Sequence, residues 1–190
     1  MRSLFLLLAL AAPAQAQSKD WSYWAATDLF ITPDDHIVAP TFMADRDWLH
    51  LEGRYNYEGV DSGSVWIGYS FKPKEWTITP MIGAVIGDTH GVAPGIEATW
   101  THKKLYFYSE GEYVIGDDKF AYFWTELSYS PVEWLRAGVA SQRTRLYKTS
   151  VDIQRGVFAG VTYRKASLLT YVFEPGSQDQ SVVITGSIEF

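Results

Sequence analysis

The stretch RDWLHLEGRYNYEG, residues 46–59, alternates without a break, setting Leu49, Leu51, Tyr55 and Tyr57 against His50, Glu52, Arg54 and Asn56. A period of two belongs to a β-strand, whose successive side chains point to opposite faces. One face is then apolar and the other charged. Two architectures satisfy the pattern. In a soluble barrel or sandwich the apolar face is the core and the charges meet water. In a membrane barrel the apolar face meets lipid and the charges line a wet lumen.

The N-terminus narrows the choice. In MRSLFLLLALAAPAQAQ a single basic residue, Arg2, precedes the apolar run Leu4 to Ala12, and Ala14-Gln15-Ala16 offers small residues for cleavage. Residues 1–16 therefore read as a secretory signal peptide, and residues 17–190 as one domain. The sequence has no cysteine, which excludes disulfides, thiolate metal sites and a Cys nucleophile. Hydrophobic residues make up 47% of the chain and aromatic ones 16%, yet past the signal no apolar run approaches a membrane-spanning helix. The hydrophobicity is spread by alternation. Net charge is -6 with no basic stripe, so nucleic acid is not an expected partner.

Alternation and turn chemistry predict twelve strands, at 22–31, 37–44, 48–57, 63–71, 76–86, 92–100, 105–115, 120–129, 134–142, 151–163, 168–174 and 180–190, with ten as the alternative count. If they run up and down, their connections fall into two sets. One holds Asp45-Arg46-Asp47, KPKE, THKK, SPVE and RKAS; the other holds TPDDH, EGVD, GDTHG, GDDK, RTRLYKTS and EPGSQDQ. Trp48, Trp76, Trp100 and Trp134 sit beside the first set, and Trp21 lies at the same end of the first strand. Indole rings favour the membrane–water boundary, so these five are expected to form a periplasmic aromatic girdle.

The chain ends in SVVITGSIEF, where Val182, Ile184, Ile188 and the terminal Phe190 share a face. This resembles the C-terminal signature of Gram-negative outer-membrane β-barrel proteins. The resemblance implies an all-β fold, a transmembrane up-and-down antiparallel barrel of about twelve strands in the bacterial outer membrane. It also implies Phe190 as a signal read by the barrel-assembly machinery, and lipid and lipopolysaccharide as surroundings. In strand count the chain is similar to narrow monomeric twelve-stranded porins, with none of their substrate motifs matched. The rival reading is a soluble periplasmic barrel.

Parity then assigns faces. Apolar residues such as Leu51, Tyr57, Val65, Ile82, Val157, Leu169, Tyr171 and Phe173 are expected outside. His50, Glu52, Arg54, Ser70, Thr79, Glu97, Tyr106, Tyr108, Glu110, Glu112, Tyr122, Trp124, Glu126, Arg136 and Thr170 are expected inside. No loop looks long enough to form a plug, so any constriction is expected from wall side chains: the Tyr106, Tyr108, Tyr122 and Trp124 cluster, and a continuous acidic surface of Glu97, Glu110, Glu112 and Glu126 with only Arg136 in reach.

These features point to a small channel for hydrophilic solutes, weakly preferring cations. A non-conducting envelope-integrity barrel is the alternative. A lipid hydrolase using His50, Ser70 and Glu52 comes third, and an enzyme is not expected because nothing supplies an oxyanion hole. His36, His90 and His102 lack metal-ligand spacing and read as solvated loop residues; no metal or cofactor is expected. The outer-loop carboxylates Asp34, Asp35, Glu58, Asp61, Asp88, Asp117, Asp118 and Asp179 read as solvated surface, and Arg143, Arg145 and Lys148 as contacts for lipid phosphates.

Overall fold

The computed structural model describes residues 20–116, 120–145 and 152–190. Its strands are β1 (Ser22–Ile31), β2 (His36–Arg46), β3 (Leu49–Tyr55), β4 (Ser62–Tyr69), β5 (Trp76–Gly87), β6 (Gly91–His102), β7 (Leu105–Val114), β8 (Phe120–Val132), β9 (Leu135–Arg145), β10 (Asp152–Tyr163), β11 (Ala166–Phe173) and β12 (Ser181–Glu189). The predicted signal peptide, Asp117, Asp118, Lys148 and the side chain of Arg145 lie outside the described residues.

Each strand pairs antiparallel with its sequence neighbours, and β1 pairs with β12, closing a twelve-stranded up-and-down barrel. The seam runs from Trp24 opposite Glu189 to Ile31 opposite Val182. Phe190 extends it, exchanging backbone hydrogen bonds of 3.1 and 3.0 Å with Tyr23 and stacking on its ring at 5.6 Å. Closure satisfies the ladder groups that an open sheet would leave bare at its edges. Short turns at the rim that carries the termini place Asp47, Lys74, Lys103 and Arg164 in left-handed conformation, with φ between 55° and 57°. That conformation lets the chain reverse within a few residues.

Alternation sorts the side chains as the physics of a pleated wall requires. Val65, Ile86 and Val139 stand on the outer face at 62%, 71% and 55% exposure, while the charged members of β3, β7 and β8 are buried inside. At the rim of the termini, Trp48, Trp76 and Trp134 are exposed on the outside, and Trp76 pairs across the ladder with Trp100. Trp21 stacks on Tyr23 beside them.

Two face assignments need correction. In β11, Leu169, Tyr171 and Phe173 are buried in the lumen and Thr170 is exposed outside. The cause is the hairpin register: Tyr163 faces outward and pairs with Ala166, so the even residues of β11 share its face. Apolar character misled because this lumen is partly aromatic. Tyr57 also turns inward, because Asn56 adopts φ 57° and breaks the alternation after β3.

Candidate functional site in the lumen

Arg54 organises one half of the interior. Near the end of β3, its Nε and Nη2 donate to the two oxygens of Glu52, each at 2.8 Å, and its Nη1 donates to Glu112 at 2.8 Å. Glu110 Oε1 lies 2.6 Å from Nη1 as an ion contact off the N–H direction, and Glu58 closes the set at 4.0 Å. The guanidinium lies over the rings of Tyr57 and Trp66, 4.5 and 5.0 Å from their centroids. Its side chain is 1% exposed. A charge so withdrawn from water persists only when paired and hydrogen-bonded, and the carboxylates supply both.

Strand register explains the meeting. Glu97 stands opposite Glu110, and Glu112 follows one inward position along β7. Arg54 and Glu52 come from β3, two residues apart and therefore on the same face. Glu58 arrives from the connection after β3. It is fully buried and accepts hydrogen bonds from Ser64 at 2.5 Å and Trp66 at 3.2 Å. It is thus a lumen residue and not a solvated loop carboxylate. Tyr57 enters beside it and donates to Glu110 at 3.0 Å. The constriction is therefore built partly from a connection, contrary to the expectation of wall side chains alone. The acidic surface is likewise interrupted, since Arg54 as well as Arg136 is in reach of it.

Arg136 organises the other half. Its Nη2 donates to Glu126 at 3.0 Å, and its guanidinium is sandwiched by Tyr106 and Phe158 at 5.1 and 5.2 Å. An irregularity between Tyr129 and Val132 resets β8 against β9, so that Glu126 faces Ala140 and shares the inner face with Arg136. Glu126 also accepts from Trp124 Nε1 at 2.8 Å and from Tyr171 at 2.7 Å.

Between these halves lies a cavity of about 470 Å³. Its walls include Asp28, Asp45, Glu52, Glu97, Glu110, Glu126 and Glu189, with Arg136 the one basic residue among the described lining residues. It extends to Thr162 and Glu189, which are exposed at the rim of the termini. At the other end it meets Phe30, Tyr57, Tyr122 and Val183. Behind them, Val114 and Phe173 have no exposure at all. The lumen is a cup, open at one rim and filled with packed side chains toward the other.

The predicted aromatic cluster is divided. Tyr122 packs edge-on against Tyr57 and stacks on Phe120, whereas Trp124 meets Tyr171 and Phe173 edge-on. Tyr108 hydrogen-bonds Glu97 and Glu110, at 3.2 and 2.9 Å, and Tyr106 lies under Arg136. Thr79 is 3% exposed and shares a hydrogen bond with Ser70, so the wall there is packed, not wet. His50 stands opposite Gly68, and its ring nitrogens make no hydrogen bond to the Ser70 hydroxyl, so the nucleophile–base contact of the hydrolase reading is not made here. His102 ends β6 and pairs at 2.7 Å with Glu75 in the preceding rim turn, where the hydrogen bond holds the Glu75 carboxyl below its usual range. Sequence reasoning missed the inward turn of Tyr57 and Glu58, which no period marks; it passed over Phe158, which parity does place on the inner face of β10, and Asp28, a lone charge in mid-strand that accepts a hydrogen bond from Thr185.

No family model and no curated protein matches this chain. Solved structures do match in fold. The KdgM porin shares 13% identity at a TM-score of 0.64, with 88% of this chain and 99% of that one covered. The NanC porin shares 11% at 0.61, over 86% and 98%. A further KdgM structure, in complex with disordered oligogalacturonate, shares 12% at 0.63, over 88% and 99%. The class defined by fold is the closed twelve-stranded porin-type barrel.

Proposed function

We propose that residues 17–190 form an outer-membrane channel for small hydrophilic solutes, held closed in this structure by the Tyr57–Arg54 layer. The observation that carries this reading is the cup of about 470 Å³, with carboxylates and aromatic rings in its lining, inside a porin-type wall. The apolar outer face supports membrane placement, since soluble monomers rarely expose contiguous apolar patches beyond a few hundred Å². Residues 1–16 would direct export and be removed. Lipid and lipopolysaccharide would surround the wall, with Arg143, exposed at the end of β9, available to lipid phosphates. The five rim tryptophans would sit at the periplasmic interface.

Charge favours cations. One structural neighbour holds oligogalacturonate, a polyanion. Carboxylates dominate the charged groups of this cup, so a polyanion would be repelled and a cationic or neutral solute admitted. In planar bilayers the wild-type barrel should conduct weakly, and Tyr57→Ala should raise conductance several-fold with a reversal potential of cationic sign under a salt gradient. A second reading, a non-conducting envelope barrel, is favoured by the zero exposure of Val114 and Phe173. It prevails if both folded proteins are silent.

Assembly would depend on Phe190, whose backbone bonds and ring complete the seam. Deleting it should cut the amount of heat-modifiable, folded protein recovered from outer membranes. Undiminished recovery would count against the assembly role.

A further inference from the structure

His50 is 3% exposed and lies on the inner wall of β3. Its Nδ1 is held by Asp45 at 2.8 Å, while Nε2 is buried and makes no hydrogen bond. That nitrogen points toward Glu52, whose Oε2 is 3.7 Å away. Glu97 reaches the same spot from β6. The intervening strands permit this because they present small side chains there: His50 faces Gly68, and Glu97 faces Thr79. A Cβ on Gly68 would come within 3.3 Å of the imidazole ring and 2.7 Å of Thr79. One ligand atom from each of His50, Glu52 and Glu97 lies within 4.8 Å of the others.

We propose that His50 Nε2, Glu52 and Glu97 bind one divalent transition-metal ion of the zinc class in the lumen wall. An imidazole with two carboxylates is a hard-to-borderline donor set, suited to zinc and its first-row neighbours and not to soft ions. Ligand atoms about 2.1 Å from a tetrahedral ion are roughly 3.4 Å apart, so side-chain rotation must close the widest gap by up to about 1.4 Å and the His50–Glu52 gap by a few tenths. Asp45 supplies the outer support that metal-bound histidines require, fixing the tautomer that leaves Nε2 free to ligate. Glu52 keeps its bidentate bond to Arg54 and still offers a lone pair on Oε2. Access is provided by the cup, whose lining includes Asp45, Glu52 and Glu97. Solvent there can complete the coordination. The site does not depend on conduction through the barrel.

The test is metal binding by the folded mature chain in detergent. After stripping with a chelator, the protein is titrated with Zn²⁺ against a chromophoric competitor, and with Co²⁺ for its ligand-field absorption. Wild type should take one ion per barrel, with Co²⁺ bands of a nitrogen–oxygen site. His50→Ala and Glu97→Gln should each weaken binding at least tenfold. Asp45→Asn, at a strand end, should weaken it by about 10–100-fold, the usual effect of losing such support. It carries the test if His50→Ala fails the heat-modifiability check for folding. No binding by folded wild type overturns the proposal. So does binding that these substitutions leave unchanged, or binding abolished by His102→Ala, which would assign it to the rim pair with Glu75. A silent bilayer with intact, His50-dependent binding defeats the channel reading alone.

Discussion

Arg54 and Arg136 both project into the lumen, both lie against aromatic rings and both meet glutamates, yet they inhabit different environments. Arg54 is 1% exposed, with Glu52, Glu110 and Glu112 at 2.6–2.8 Å. Arg136 is 29% exposed, with Glu126 at 3.0 Å and the cup beside it. The first sits where the connection after β3 turns Tyr57 and Glu58 inward; the second sits where no connection among the described residues enters. Similar residue chemistry thus yields a buried, packed layer in one half and a solvent-reaching wall in the other. What separates them is whether water is left to share the charge.

The largest expected effect is at Arg54. Arg54→Met would leave Glu52, Glu58, Glu110 and Glu112 crowded together with little water to screen them. Removing one partner of a buried ion network costs about 3–5 kcal/mol. Urea unfolding of the barrel in lipid vesicles should show that loss, and replacing Glu112 with Gln in the same chain should recover part of it. A loss no larger than that from Arg136→Met would break the contrast between the two halves.

Arg136→Met should be milder, about 1 kcal/mol, because a partly exposed ion pair exchanges its partner for water. Its clearer signature should be electrical. With the one lining base removed, any conductance should become more cation-selective, read as a larger reversal potential under a salt gradient. An unchanged potential would mean that Arg136 does not face the route taken by whatever ions pass.

This contrast was only half legible in the sequence. Strand number, closure and the grouping of Trp21, Trp48, Trp76, Trp100 and Trp134 follow from period and turn chemistry, which act locally and leave their mark on every strand. The inner positions of Glu97, Glu110, Glu112 and Glu126 also follow, since parity carries them. Parity fails where the backbone changes phase. Asn56 does so with a left-handed φ, which sends Tyr57 and Glu58 into the lumen, and no pattern in the chain announces it. The faces of β11 failed for another reason: the rule that apolar means outward assumes a wet interior, and here Phe158, Tyr171 and Phe173 pack inside. Which carboxylate meets Arg54 depends on barrel curvature across several strands, which a linear reading does not contain.

The smallest effect sharpens the comparison from outside the wall. Glu75 lies in the turn before β5 and accepts hydrogen bonds from His102 at 2.7 Å and Trp100 at 3.2 Å. Both members of the Glu75–His102 pair are more than two-fifths exposed, so solvent and salt screen them in a way that Arg54 does not experience. The bond from His102 lowers the Glu75 carboxyl below its ordinary 4.5. A depressed carboxyl stabilises the fold above its unfolded value, and that contribution fades as pH falls through the lowered one. Glu75→Gln should therefore shift the unfolding midpoint slightly near pH 7, less at about 1 M salt, and not at all near pH 2. The Arg54→Met deficit near pH 7 should survive the same salt. If salt erased both differences alike, the Arg54 layer would be as open to solvent as the rim, and the contrast between buried and exposed ion pairs would be lost.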